Sequence, residues 1–395
     1  MRVLNHWIRH DLIRRFAIGA MLVLAAVMAF SLPGGQHTSA QSDNCNPGFS
    51  TFEWGETDFC NASVDFSEII AGGPPKDGIL ALNDPVMESV DVAARWLVDQ
   101  SPVIAVEIDG EARAYPQAIL IRHEIANDVI NDVPVAVTFC PLCNSSIVFD
   151  RRVDGEVLDF GVSGMLRNSD MIMYDRQTDS WWQQFIGVGI VGHYNETVLD
   201  IIPSLVIGFG DFAERYPDGL VMSSDQGFGR GYGTNPYVGY SRSDPSRFLF
   251  RGEVDSRLPG TERVLAYGDG DTYVAYPFAT LSNASVINDT IGDMDVVAMW
   301  QPGVADALDE SIIDLSRDLG TAALYDRVLD GQVLTFRLNG DGSIVDNQTG
   351  STWNLFGQAM AGELEGAQLR QLIAAPHFWF AWAAFHPQTT VYGQS

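Results

Sequence analysis

Lysine is almost missing from this chain of 395 residues: Lys76 is the only one. Arginine does not make up the deficit. Lys and Arg together number 23 against 51 Asp and Glu, and the formal net charge is −28 at pH 7. A surface of that sign repels phosphate backbones and anionic headgroups, which argues against nucleic acid and anionic lipid as partners. Long apolar runs are missing after residue 32, so no later segment reads as a membrane span. Reactive side chains are scarce. There are four cysteines and seven histidines, and three of the histidines fall within the first 40 residues. Only one Cys-x-x-Cys is present, which excludes a four-cysteine zinc site built from two such pairs.

The N-terminus has the organisation of a secretory signal. Arg2, Arg9, Arg14 and Arg15 precede an apolar run from Phe16 to Leu32, and Thr38-Ser39-Ala40 supplies small residues before a cut at Gln41. Residues 1–40 are therefore expected to be a signal peptide. An uncleaved signal anchor is the one membrane attachment the sequence allows. Cleavage leaves 19 basic against 50 acidic residues, a balance of −31. The expected location is extracytoplasmic: secreted, periplasmic or at the cell surface, where cysteines oxidise. Cys45 and Cys60, in an Asn-, Gly- and Pro-rich arm, are expected to form a small structural disulfide.

The chain contains an internal comparison. Residues 103–143 align without a gap on 264–304, and 13 of the 41 positions are identical. Tyr115-Pro116 falls on Tyr276-Pro277, Asn127-Asp128 on Asn288-Asp289, and Pro141 on Pro302. The chemistry does not carry over: His123, Glu124, Cys140 and Cys143 meet Ala284, Ser285, Gln301 and Val304. Further on, DRRVDGEVLDF (150–160) matches DRVLDGQVLTF (326–336), and DRQTDSWWQQF (175–185) matches DNQTGSTWNLF (346–356). The register change between them marks 163–170 as a loop peculiar to the first copy. The expected organisation is an arm and short helix at 41–101, lobe 1 at 102–222, a Gly- and Tyr-rich strap at 223–250, and a degenerate lobe 2 at 251–395. The strap lacks phosphate-loop spacing and reads as a connector rather than a cleft lining.

Short β-branched runs separated by Asp-Gly turns predict an α+β fold, mainly antiparallel β, with two pseudo-symmetric lobes. Val103–Ile108 and Ala112–Tyr115 predict a hairpin turned at Asp109-Gly110. Ser146–Arg152 and Val157–Val162 predict another, turned at Asp154-Gly155. Helices are predicted at 84–98, Gln117–Asn127 and Leu205–Tyr216. Val135–Phe139 is a strand running into Cys140-Pro141-Leu142-Cys143. Because Ser145–Phe149 is strand-like too, the motif reads as a knuckle in a hairpin, with Asn144 in a left-handed conformation.

Two thiols at this spacing grip a soft metal, cycle through a disulfide, or form a structural staple. His123, lost from the second copy together with the cysteines, is the candidate third ligand beside Cys140 and Cys143. Soft sulfur and nitrogen donors select copper or zinc, with copper placed first. Glu124 is the candidate base or orienting partner of His123. Arg167, Asn168 and Asp170, in the loop peculiar to the first copy, are candidates to face the thiols and hold a cofactor. Met165, Met171 and Met173 read first as core residues, His193 as peripheral, and His377 and His386 as packing residues among aromatics. The rival functions are a thiol-disulfide oxidoreductase, acting on a small molecule or a thiol protein, and a non-catalytic binding or scaffold protein.

GGPPKDGI (72–79), ARAYP (112–116), HEIAND (123–128), VAVTFCPLCNSSIVFDR (135–151), FGVSGMLRNSDMIMYDRQTDSWWQQ (160–184) and Tyr216-Pro217-Asp218 resemble the domain of unknown function family numbered 3179. The resemblance covers about residues 68–392. It implies a mostly exported protein and brings no assigned reaction. Asn144 stands where the family pattern usually has Gly, and Ile121-Arg122 where an aromatic is common.

Overall fold

A computed structural model describes residues 45–229, 231–244 and 249–394, so the signal-like segment 1–40 lies outside the described residues. Residues 42–395 form one compact unit. Strands dominate, helices are few, and most strand pairs are antiparallel, the α+β, mainly β class that the turn pattern predicts.

Pro102–Ile108 and Glu111–Pro116 form the first hairpin. Its turn residues, Asp109 and Gly110, both have positive φ (49° and 89°), the conformation a two-residue turn between right-twisted strands requires. Leu205–Gly208, Leu220–Met222 and Met87–Ser89 complete its five-stranded sheet. A second sheet is ordered Ile201–Ile202, Ser145–Asp150, Val133–Cys140, Ile125–Ile130, Leu82–Asn83. A third is ordered Ile69–Ala71, Phe160–Arg167, Asp170–Asp175, Trp181–Gln183, Val188–Val191.

The same order of elements recurs in the C-terminal half. The elements starting at 102, 111, 117, 125 and 133 have counterparts starting at 263, 272, 278, 286 and 294, the displacement of 161 at which the sequence aligns. The two halves share their interiors. One core cluster joins Phe139, Phe149 and Trp182 to Val264, Phe378 and Trp382, and another joins Val103 and Phe212 to Met299 and Trp353.

Several predicted elements are shorter or differently paired. The helix expected at Gln117–Asn127 is Gln117–Leu120. The chain reverses at His123-Glu124, where Glu124 has φ 59°, and Ile125–Ile130 is claimed by pairing with Val133–Thr138. At Leu205–Tyr216 the first four residues pair with Pro102–Ala105, and the helix is Phe209–Arg215. Within 84–98, Met87–Ser89 is a strand and only Val90–Ala93 is helical. Ser145–Asp150 pairs with Val133–Cys140 rather than with Val157–Val162, leaving Asp154-Gly155 to turn a two-residue ribbon. The 163–170 "loop" is largely strand: Phe160–Arg167 and Asp170–Asp175 form a hairpin turned at Asn168-Ser169, both with positive φ. Tertiary pairing overrides local pattern in each case.

The Cys45–Cys60 disulfide is present, and Cys140 and Cys143 are free thiols. Among the described residues no helix is long and apolar enough to cross a membrane.

A buried dithiol–carboxylate group

Cys140 closes the strand Val133–Cys140 and pairs across the hairpin with Ser145, so the turn between them is Pro141–Asn144. Asn144 takes φ 51°, the left-handed conformation that asparagine tolerates better than most residues. Both thiols are buried.

The hairpin of the third sheet brings Asp170 to them. Its carboxylate Oδ1 accepts from Cys143 Sγ at 3.0 Å, and Oδ2 accepts from Gln183 Nε2 at 2.6 Å and from the Phe185 backbone N–H at 2.9 Å. The ligand atoms of Cys140, Cys143 and Asp170 all lie within 4.8 Å of one another.

That hairpin is clamped from outside by the GGPPKDG segment. Gly72 N–H donates to Gly164 O (2.7 Å) and Asp77 N–H to Val162 O (2.9 Å). Gly164 has φ +77°, and a Cβ there would overlap the carbonyl oxygen of Pro74. Glycine is required at this crossing. Beside it Lys76 lies over the rings of Trp54 and Tyr174, at 4.4 and 4.5 Å, and pairs with Asp179 at 2.7 Å.

The electrostatics of the group are one-sided. Burial pushes the Asp170 carboxyl up to about 6 against the pull of its hydrogen bonds. Burial, with the Asp170 charge added, pushes Glu124 up to about 8. Burial also raises both thiols, Cys143 strongly, and the carboxylate charge of Asp170 raises them further. The charged neighbours acting on Glu124, Cys140 and Cys143 are acidic groups throughout. An acidic cluster without water or a cation is costly to ionise.

Unpartnered polar atoms surround the same group. Ser145 Oγ, Ser169 Oγ, Gln183 Oε1 and Gln184 Oε1 are buried without a hydrogen-bond partner. Ser145 faces Cys140 in the ladder. Ser169 precedes Asp170, and its carbonyl lies 3.8 Å from Cys140 Sγ. Gln183 holds Asp170, and Gln184 donates to Thr138 Oγ1 at 2.8 Å and reaches Ser145 O at 3.4 Å. Buried polar atoms are ordinarily satisfied, and three orphans that adjoin, face or hold a thiol or the carboxylate, with Gln184 one step further, mark a place suited to a further polar group.

The third donor is Asp170, where the sequence suggested His123. His123 is buried but lies outside the group. Its Nδ1 lies 2.6 Å from Leu80 O and its Nε2 2.8 Å from Tyr232 Oη. A carbonyl only accepts, so Nδ1 carries a proton and donates to Leu80 O. Arg167 pairs with Glu68 (2.6 Å) and lies over the Phe385 ring, and Asn168 occupies the hairpin turn. Neither belongs to the group. Met171 and Met173 are core residues, and His193 is exposed against Tyr194.

The strap does more than connect. Tyr240 Oη donates to Leu142 O within the knuckle (3.0 Å), Tyr232 holds His123, and Tyr237 feels the charges of Glu124 and Cys140. Sequence reasoning missed these tyrosines and the Gln183-Gln184 pair. The glutamines had a signal: they align with Asn354-Leu355 in the second copy.

The fold and this group define a β-rich protein with one buried dithiol–carboxylate cluster in its N-terminal half. Residues 76–389 match the family described as Protein of unknown function (DUF3179), and the chain belongs to that family. Comparison with curated proteins and with solved structures gives no match.

Proposed function

We propose that this is an exported metal-binding protein that holds one zinc ion through Cys140, Cys143 and Asp170, in the first of two copies of a duplicated unit. The observation that carries the reading is the buried acidic donor group ringed by orphaned polar atoms. A divalent cation offsets the charge that burial otherwise keeps protonated, and ligand deprotonation accompanies binding. Two thiolates and a carboxylate suit zinc better than copper, because the oxygen donor replaces the expected imidazole. Three protein donors leave a fourth position, where zinc acts as a Lewis acid toward water or a bound carbonyl. Glu124, which feels the Asp170 charge and is held protonated near neutrality, is suited to move a proton.

The test is metal analysis of the purified protein, followed by titration of chelator-treated protein with Zn²⁺ and with Cu⁺. One zinc per chain is expected, lost in Cys143→Ser and in Asp170→Asn and retained in His123→Ala. Failure of the wild type to bind either metal refutes the reading, as does undiminished binding by Asp170→Asn. A reversible Cys140–Cys143 disulfide in a protein that binds no metal would replace it with thiol redox chemistry.

A further inference from the structure

A cavity of about 430 Å³ opens where the two halves meet. Its walls include Phe185, Tyr273, Trp382, Phe385, His377 and His386. In a chain with 51 acidic residues, not one Asp, Glu, Lys or Arg lines it. Volume and lining are those of a small-molecule site: an apolar, aromatic space with a few polar atoms.

The polar atoms are specific. His377 is buried, and its Nδ1 has no hydrogen-bond partner. His386 stacks on Tyr273 with ring centroids 4.3 Å apart and lies 4.3 Å from Trp382. Burial holds both imidazoles neutral, His377 down to about 3 and His386 down to about 4. A neutral imidazole has one nitrogen free to accept a hydrogen bond.

The other half supplies the control. The helix Phe209–Arg215 ends in Arg215-Tyr216 where Trp379–Phe385 ends in Phe385-His386. There the Arg215 guanidinium covers the rings of Phe356 (4.8 Å) and Tyr216 (5.3 Å), and the corresponding space is about 270 Å³. One space is filled by a cation from within the chain. In the other, Phe385 stands at the position of that arginine and His386 at the position of Tyr216, so no cation enters the space.

We propose that this cavity binds an uncharged, planar aromatic molecule bearing a hydroxyl, packed against Trp382 and the outer side of the Phe185–Phe385 stack (centroids 4.7 Å apart), with its hydroxyl donating to His386. The site abuts the dithiol group. Phe185 lines the cavity while its backbone N–H holds Asp170, and the residue after His377, Phe378, donates to Cys143 O at 3.0 Å. The proposal does not depend on the metal.

The test uses the intact mature protein and isothermal titration calorimetry with 1-naphthol, 1-methylnaphthalene and 1-naphthalenesulfonate. One 1-naphthol per chain is expected, bound at least tenfold more tightly than the sulfonate. His386→Phe, which keeps the aromatic stack, is expected to weaken 1-naphthol about tenfold and leave 1-methylnaphthalene unchanged, the size expected for loss of one buried hydrogen bond. Ala375→Trp, which fills the cavity, is expected to abolish binding. No saturation by 1-naphthol below about 1 mM overturns the proposal. Sulfonate binding as tight as naphthol binding, or naphthol binding unchanged in a folded Ala375→Trp protein, also overturns it. The naphthol–sulfonate comparison in the wild type decides even if both variants fail to fold.

Discussion

Replacing Glu124 by glutamine should change how stability depends on pH in a way few single substitutions do. Glu124 is buried beside Asp170, and the fold pushes its carboxyl from the ordinary 4.5 up to about 8. Between those values the folded protein holds a proton that the unfolded chain has released. Stability therefore falls as pH rises through this window, and the loss is complete once pH passes the folded value. From pH 6.5 to 8 the contribution of one such group integrates to roughly 2 kcal/mol. Asp170, pushed up to about 6, has mostly ionised by pH 6.5 and adds little. Glutamine has the same shape and no proton to lose. The assay is urea unfolding of chelator-treated wild type and Glu124→Gln at pH 6.5, 7.2 and 8. The two curves should diverge, with the wild type losing roughly 2 kcal/mol more. Taking the difference cancels the histidines, which titrate equally in both. With zinc present the wild-type trend should reverse, because the ligands must shed protons to bind. Parallel curves in the metal-free proteins would refute the uncompensated acidic cluster, and with it the main support for a cation.

Gly164→Ala places a methyl group against the Pro74 carbonyl at a left-handed position. A loss of about 3 kcal/mol in chemical unfolding is expected, with weakened zinc binding because the same hairpin presents Asp170. An equally stable variant would remove the clamp from the account. On the acid side, His377 stays neutral in the fold down to about 3 while the unfolded chain gains a proton near 6.5. The fold then loses roughly 2 kcal/mol on this residue alone as pH falls from 6.5 to 5. His377→Phe should recover that share in the same unfolding assay, and an unchanged acid slope would count against burial of the imidazole.

Much of the fold was legible because turn chemistry and repetition are local. Asp109-Gly110 and Asp154-Gly155 turn where their φ values demand, and the offset of 161 between the aligned segments reappears in element after element. The helices were overread because apolar periodicity in Gln117–Asn127 and Leu205–Tyr216 does not reveal which residues a distant strand will claim. The site was half legible. The knuckle follows from a strand on either side of the cysteines. Asp170 was named as facing them, but its rank above His123 depends on the clamp of 72–78 over the hairpin, a contact between segments about 90 residues apart. His123 has no counterpart in the aligned segment 264–304, which also lacks the thiols, yet its ring nitrogens meet Leu80 O and Tyr232 Oη. Loss in company does not imply contact.

The single lysine carries one more consequence. Its ammonium is enclosed by two rings and a carboxylate, and the remaining basic side chains are guanidinium or imidazole. A processed chain would therefore offer amine-directed acylating reagents little besides its α-amine and the partly covered Lys76. Such a protein would offer few sites for amine acetylation or lysine-directed proteolysis through composition rather than through any protective device. It would also accept one label at one defined end.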